Sequence, residues 1–165
     1  MRVFSIALAC FLTACVAPQF EVKTPFDPAL AGYIKEVGKG TLTGQAFLRR
    51  NDGVVVYAAG SEVLLYPVTP YHTEITRNIF GGGKVTSVVG PRASNVDPRG
   101  QEFRRTTKAD GSGNFKFENL KAGSYYVLTD VLWNPTNNAL PQGGGLYDRV
   151  EVRDGETTNV ILSGT

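Results

Sequence analysis

The segment Ala109–Trp133 constrains the fold more than any other part of the chain. It reads ADGSGNFKFENLKAGSYYVLTDVLW. Asp110, Gly111, Ser112, Gly113 and Asn114 make a tight turn, because Gly and Asn accept the positive φ that such turns need. Phe115 and Phe117 then fall on one face of a short strand, with Lys116 and Glu118 on the other. Asn119 to Gly123 turns the chain again and carries Leu120 toward the core. Ser124 to Trp133 follows as the longest strand. Tyr125, Val127, Thr129, Val131 and Trp133 share one face; Tyr126, Leu128 and Leu132 share the other. Apolar residues on both faces predict a central strand, covered on both sides.

The same period of two recurs upstream and downstream. From Thr41 onward, Leu42, Gly44, Ala46 and Leu48 alternate with Thr41, Thr43, Gln45 and Phe47. Asn51-Asp52-Gly53 signals a hairpin into Val54–Tyr57. Glu62 to Val68 alternates again, and Pro67 marks an edge or a bulge at its end. Asn134 to Gly145 reads as a polar, glycine-rich loop, and Arg149 to Arg153 and Asn159 to Leu162 then close the pattern around an Asp154-Gly155 turn. The chain has 19 glycines and 9 prolines in 165 residues, which suits many turns and short strands. The expected fold is all-β, a single two-sheet sandwich of about seven short strands. Pro70 to Phe103 interrupts it as a long inserted loop, with a short helical turn over Thr73–Phe80 and a short strand over Lys84–Val89. Loops of this length are usually functional or disordered.

The N-terminus reads differently. Arg2 precedes an apolar run, Val3 to Leu12, of the length of a signal-peptide core and too short to span a bilayer. Leu12-Thr13-Ala14-Cys15 resembles the bacterial lipobox, which implies cleavage after residue 14 and a lipid such as palmitate on the Cys15 sulfur. Cys10 competes but leaves too short an apolar run, and an ordinary secretory signal is the plainer alternative. Val16 rather than Asp after the cysteine points, by the same resemblance, to an outer-membrane anchor facing the periplasm. With both cysteines used or removed, the mature domain holds no disulfide and depends on packing alone. The expected organisation is therefore a signal peptide at 1–14, a lipid anchor and tether at 15–40, and the sandwich at 41–165. Pro18, Pro25 and Pro28 suit a tether, and Asp27 suits the cap of a short helix over Ala29–Val37.

Ala109-Asp110 through Phe115, then Leu120, Gly123 and Tyr125, resembles the pattern Thr-Asp-x-x-Gly-x-Phe … Leu-x-x-Gly-x-Tyr of the carboxypeptidase regulatory-like domain. Gly60 to Leu65 resembles that family's Gly-Ala-x-Val-x-Leu segment, with Ser61 replacing Ala, and Val150–Leu162 its final hairpin. The resemblance covers Thr41 to Leu162 apart from the insertion, and implies a seven-stranded prealbumin-like sandwich. It implies little about function, since such domains are accessory modules in many settings.

A search for chemistry returns little. The chain has one histidine. His72 and Glu74 lack a third ligand, so no metal or other cofactor is expected. Asp110, Ser112 and Asn114 match the first calcium-loop spacings, but Phe115 and Lys121 occupy the required Gly and acidic positions. Gly81-Gly82-Gly83-Lys84 lacks the first glycine and the Ser/Thr of a phosphate loop. A formal net charge of +2 argues against a nucleic-acid partner. Three functions remain. The first is a non-enzymatic envelope lipoprotein that binds a protein partner, through a surface of Tyr71, His72, Arg77, Arg104, Arg105 and Trp133. The second is a carbohydrate-binding module using exposed aromatics near Trp133. The third is a transthyretin-like hydrolase, which a single histidine disfavours.

Overall fold

The structure, a computed structural model, describes residues 17–135 and 140–164. The expected signal peptide and Cys15 lie outside the described residues. In chain order the elements are β1 (Gln19–Phe20), α1 (Pro28–Ala31), a 3₁₀ turn (Gly32–Lys35), β2 (Val37–Arg49), β3 (Val55–Tyr57), β4 (Glu62–Pro67) and α2 (Pro70–Phe80). They continue with β5 (Val85–Ser87), β6 (Arg92–Ala93), a 3₁₀ turn (Pro98–Glu102), β7 (Arg105–Lys108), β8 (Asn114–Leu120), β9 (Gly123–Trp133), β10 (Gln142–Val152) and β11 (Thr157–Leu162).

The protein is mostly β, as expected. One sheet runs β5-β10-β9-β4-β7. The other centres on β2, which pairs with β11 in parallel and with β8 and β3 antiparallel. The described residues form more strands than the expected seven, because the insertion adds β5 and β6 and the N-terminal segment adds β1. The inward faces of both sheets meet in one core that includes Leu42, Leu65, Phe115, Phe117, Leu120, Tyr125, Val127, Val131 and Leu162. β9 is central, between β10 and β4, as its two apolar faces predict. Pro67 sits at the last residue of β4. The pairing of β4 with β7 stops at Leu65, so the missing N–H of Pro67 costs no ladder bond on that side.

The 110–114 turn forms as read. Asp110 Oδ1 accepts from the backbone N–H groups of Ser112 and Asn114, at 2.8 and 2.9 Å. The Asn114 side-chain amide, which donates to Oδ2 at 3.0 Å, and then these backbone bonds hold its carboxyl below the usual carboxylate range. A carboxylate so occupied closes a hairpin, and among the described residues no group of three or more His, Cys, Asp or Glu side chains is placed to hold a metal ion.

Three expectations are corrected. The first concerns residues 15–40. From residue 19 the chain is packed rather than a loose tether: Val22, Phe26 and Ala31 are buried against Tyr71 in a second apolar cluster. Asp27 does cap α1, with its side chain accepting from Ala29 N–H. The second concerns the helix in the insertion, which is 11 residues long and begins at Pro70. Proline there breaks nothing, because the first helical N–H has no intrahelical acceptor and the fixed φ suits the position. Thr69 caps the N-terminus and Gly81, in the left-handed region, the C-terminus. The third concerns the glycine run 143–145, which lies within β10 rather than in a loop. A Cβ on Gly144 would fall 1.9 Å from the Thr86 carbonyl oxygen, so only glycine lets β5 pair there.

The insertion thus forms an outer layer. It starts at the Tyr125 end of β9, lays α2 across the outward face of the five-stranded sheet and adds β5 to its β10 edge. No helix among the described residues is long and apolar enough to cross a membrane.

Candidate functional site

Trp133 occupies the last residue of β9, where the inward row of side chains leaves the core. Its ring packs against the core on one side and stays partly exposed on the other. Two features of β10 hold it. The indole N–H donates to Gln142 Oε1 at 3.2 Å. Gly143, at φ +111, leaves the ring room, since a Cβ there would lie 3.0 Å from Trp133 Cζ3. The β2–β3 hairpin turn comes alongside with Arg49, Arg50, Asn51 and Asp52. Together with Trp133 and Gln142 they line a cleft of about 270 Å³. Arg50 and Asp52 pair at 2.8 Å. The cleft offers a flat π-face flanked by two guanidinium groups, a carboxylate and two carboxamides. Such a set can stack on a ring while giving and accepting hydrogen bonds at its edge.

The six residues expected to form one surface do not meet. α2 begins after Pro67, which pairs with Tyr125, whereas Trp133 ends the same strand. Eight residues of β9 separate those ends, roughly 27 Å at about 3.4 Å per residue. Tyr71 and His72 are buried under α2 rather than displayed. Arg77 is exposed on the helix, beside Lys23 and Glu74. Arg104 donates to Tyr66 Oη at 3.4 Å and to Gln101 Oε1. Arg105 is spent on the carbonyls of Glu118 and Asn119, at 2.6 and 3.2 Å. Trp133 stands in an open cleft of mixed polar and aromatic character. The partners it has there, Arg49 to Asp52 and Gln142, were not singled out by sequence. Asn51-Asp52-Gly53 announces a turn but not which strand end that turn approaches.

A second cavity, of about 230 Å³, lies between α2 and the outward face of the sheet. Leu64, Tyr66 and Leu128 form its floor. Tyr71, His72, Ile75, Thr76 and Ile79 of α2 form one wall, and Val96, Asp97, Gly100 and Gln101 the other. Tyr71 pins that second wall by accepting the Asp97 backbone N–H at 2.8 Å. Burial pushes the Tyr71 phenol up. His72 Nδ1 lies 3.0 Å from Thr69 Oγ1, the helix cap. His72 Nε2 has no hydrogen-bond partner. Burial pushes the imidazole down to about 4, against a smaller opposite pull from the Pro67 carbonyl. The ring is therefore neutral at pH 7 and a weak base. Asp97, the carboxylate in the lining, is held below its usual range by Arg99, whose Nη2 donates to Oδ2 at 2.7 Å. This arrangement is suited to holding a molecule rather than to moving protons.

Among solved structures, one similar to this chain is that of a "putative carbohydrate binding protein (PA1324) from Pseudomonas aeruginosa". The two share 22% sequence identity and superpose with a TM-score of 0.70, over 85% of this chain and 98% of PA1324. The match shows a common fold. No family model matches the chain, and no curated protein matches it either.

Proposed function

We propose that the protein is a carbohydrate-binding module whose glycan seat is the cleft at Trp133. The observation that carries this reading is the half-exposed indole held beside Arg49, Asn51, Asp52 and Gln142. Sugar rings present C–H faces to an aromatic plane and hydroxyls to amides, guanidinium groups and carboxylates at its rim. The likeness to PA1324 supports the same reading. It moves weight away from the protein-interaction surface expected from sequence, whose members lie apart.

In this proposal the module is non-enzymatic and belongs to the carboxypeptidase regulatory-like, prealbumin-like sandwiches. It is carried on a lipid at Cys15, at the bacterial outer membrane facing the periplasm. With residue 19 already paired to residue 92, little free chain would separate the lipid from the domain. The glycan partner is then envelope or extracellular polysaccharide near the membrane.

The test is calorimetry and pull-down on peptidoglycan, cellulose-type and alginate-type polysaccharides, with the intact protein and Trp133→Ala. The expected result is binding to one of these classes, weakened at least about tenfold by the substitution, as for other buried aromatic anchors. Glycan binding unchanged in Trp133→Ala would overturn the site. Recovery of a protein partner and no glycan would return the reading to an assembly role.

A further inference from the structure

We propose that the cavity beneath α2 is a separate binding site for a small apolar molecule bearing one hydroxyl group. This inference does not depend on the glycan reading, because the cavity and the Trp133 cleft share no lining residue.

The cavity is bounded mostly by carbon. Leu64, Leu128 and Ile79 supply aliphatic walls, and Tyr66 an aromatic one. Apolar cavities of about 150 Å³ already take benzene, and this one is about 230 Å³. Sites of this size fall just below the ~300–1,000 Å³ of ordinary ligand pockets, so the molecule is of one-ring size. Val96, on the loop wall, is 46% exposed, which puts solvent at the rim.

Among the polar side chains of the lining, one carries a buried atom without a partner. His72 is 6% exposed, and its Nε2 has no partner while Nδ1 faces the Thr69 hydroxyl. A buried polar group without a partner costs free energy that a ligand's hydrogen bond would recover. A hydroxyl suits this nitrogen in either tautomer, since it both donates and accepts. A charged headgroup does not suit it, because the lining offers no unpaired opposite charge. Asp97, the one ionised side chain in the lining, is held by Arg99.

The chain has a single histidine, so an imidazole ¹⁵N spectrum reads this site without assignment overlap. The experiment titrates the intact protein at pH 7 with phenol and, separately, with benzene. Both are expected to shift backbone amides of Leu64, Leu128 and Ile79. Phenol alone should move the His72 Nε2 resonance, and it should bind about three- to tenfold tighter than benzene. Ile79→Trp, which fills the cavity, should abolish both. His72→Phe should keep benzene and erase the phenol preference. The proposal is overturned if neither probe shifts the lining amides at millimolar concentration, or if the Nε2 resonance of the unmodified protein ignores phenol. It is equally overturned if Ile79→Trp leaves binding intact. Loss of phenol binding in Trp133→Ala would assign the probe to the other cleft and end this proposal while sparing the glycan one.

Discussion

The two faces of β9 are built from the same residue types and packed in different ways. Inward, Tyr125, Val127 and Val131 are fully buried against the opposite sheet. Outward, Tyr126 is buried, its hydroxyl 3.0 Å from the Thr73 hydroxyl of α2. Leu128 lines a cavity, and Leu132 is 52% exposed. A sheet covers a sheet along its whole length, whereas one helix covers only the part it crosses. The inward face is closed over by the opposite sheet. The outward face has a cavity under the helix and open surface beyond it. Both candidate binding sites fall where coverage fails: one beneath α2, the other at the strand end where the core runs out.

The sharpest way to break this comparison is a pair of leucine truncations measured by urea denaturation. Leu65→Ala removes a side chain with no exposure from the inward face of β4. It should cost about 2–5 kcal/mol, the range for large-to-small changes in closed cores. Leu128→Ala enlarges a cavity that already exists, and should cost about half as much. Equal costs would mean that the outer layer is packed as tightly as the core.

The next effect comes from His72. Its folded value of about 4 lies below the ordinary 6.5, so the unfolded chain takes up a proton first as pH falls. Stability should hold above pH 6.5, then decline between 6.5 and 4 by up to about 3 kcal/mol, at about 1.4 kcal/mol per unit. His72→Phe should flatten that part of the profile. A profile unchanged by the substitution would show that the imidazole is not sealed under α2.

The smallest effect concerns the clasp between the N-terminal segment and α2. Glu74 accepts from the backbone N–H groups of Lys23 and Thr24, at 2.9 and 2.7 Å. The Thr24 side chain, and then these two backbone bonds, hold its carboxyl below its usual value. Their contribution is present above the ordinary glutamate range and is lost as pH falls through the depressed folded value. The amide resonances of Lys23 and Thr24 should titrate with Glu74, and Glu74→Gln should speed their hydrogen exchange with little change in the urea midpoint. Static amide shifts across that pH range would remove Glu74 from the clasp.

The contrast between faces also marks what the sequence makes legible. Alternation predicts the inward rows, and the Asp110–Asn114 turn is read correctly because its signal is local. Asp27 as a helix cap is local too. The outer layer depends on contacts distant along the chain. Phe26 lies 5.3 Å from both Tyr71 and Phe103, ring to ring. Nothing in the composition around Pro18, Pro25 and Pro28 reveals that Val22 and Phe26 will find those partners. Pro70 reads as a breaker until the position it takes in α2 is known. Tyr71 and His72, in a segment read as loop, look displayed; the helix turns them inward. Trp133 stands out from sequence because it ends a strand, but its neighbours in the cleft come from a hairpin more than 80 residues earlier.

The pairing of β2 sets an order of events during folding. Its parallel partner, β11, aligns Thr41 with Thr157 and Ala46 with Leu162. Contacts spanning so much of the chain make closure slow, because loop entropy is lost before the ladder compensates for it. A ribosome or a translocation pore releases residues 37–49 first and residues 157–162 last. Throughout that interval one edge of β2 is an unpaired template with Leu42 and Ala46 uncovered, so a chain of this topology needs either rapid export or a chaperone to stay off other edges.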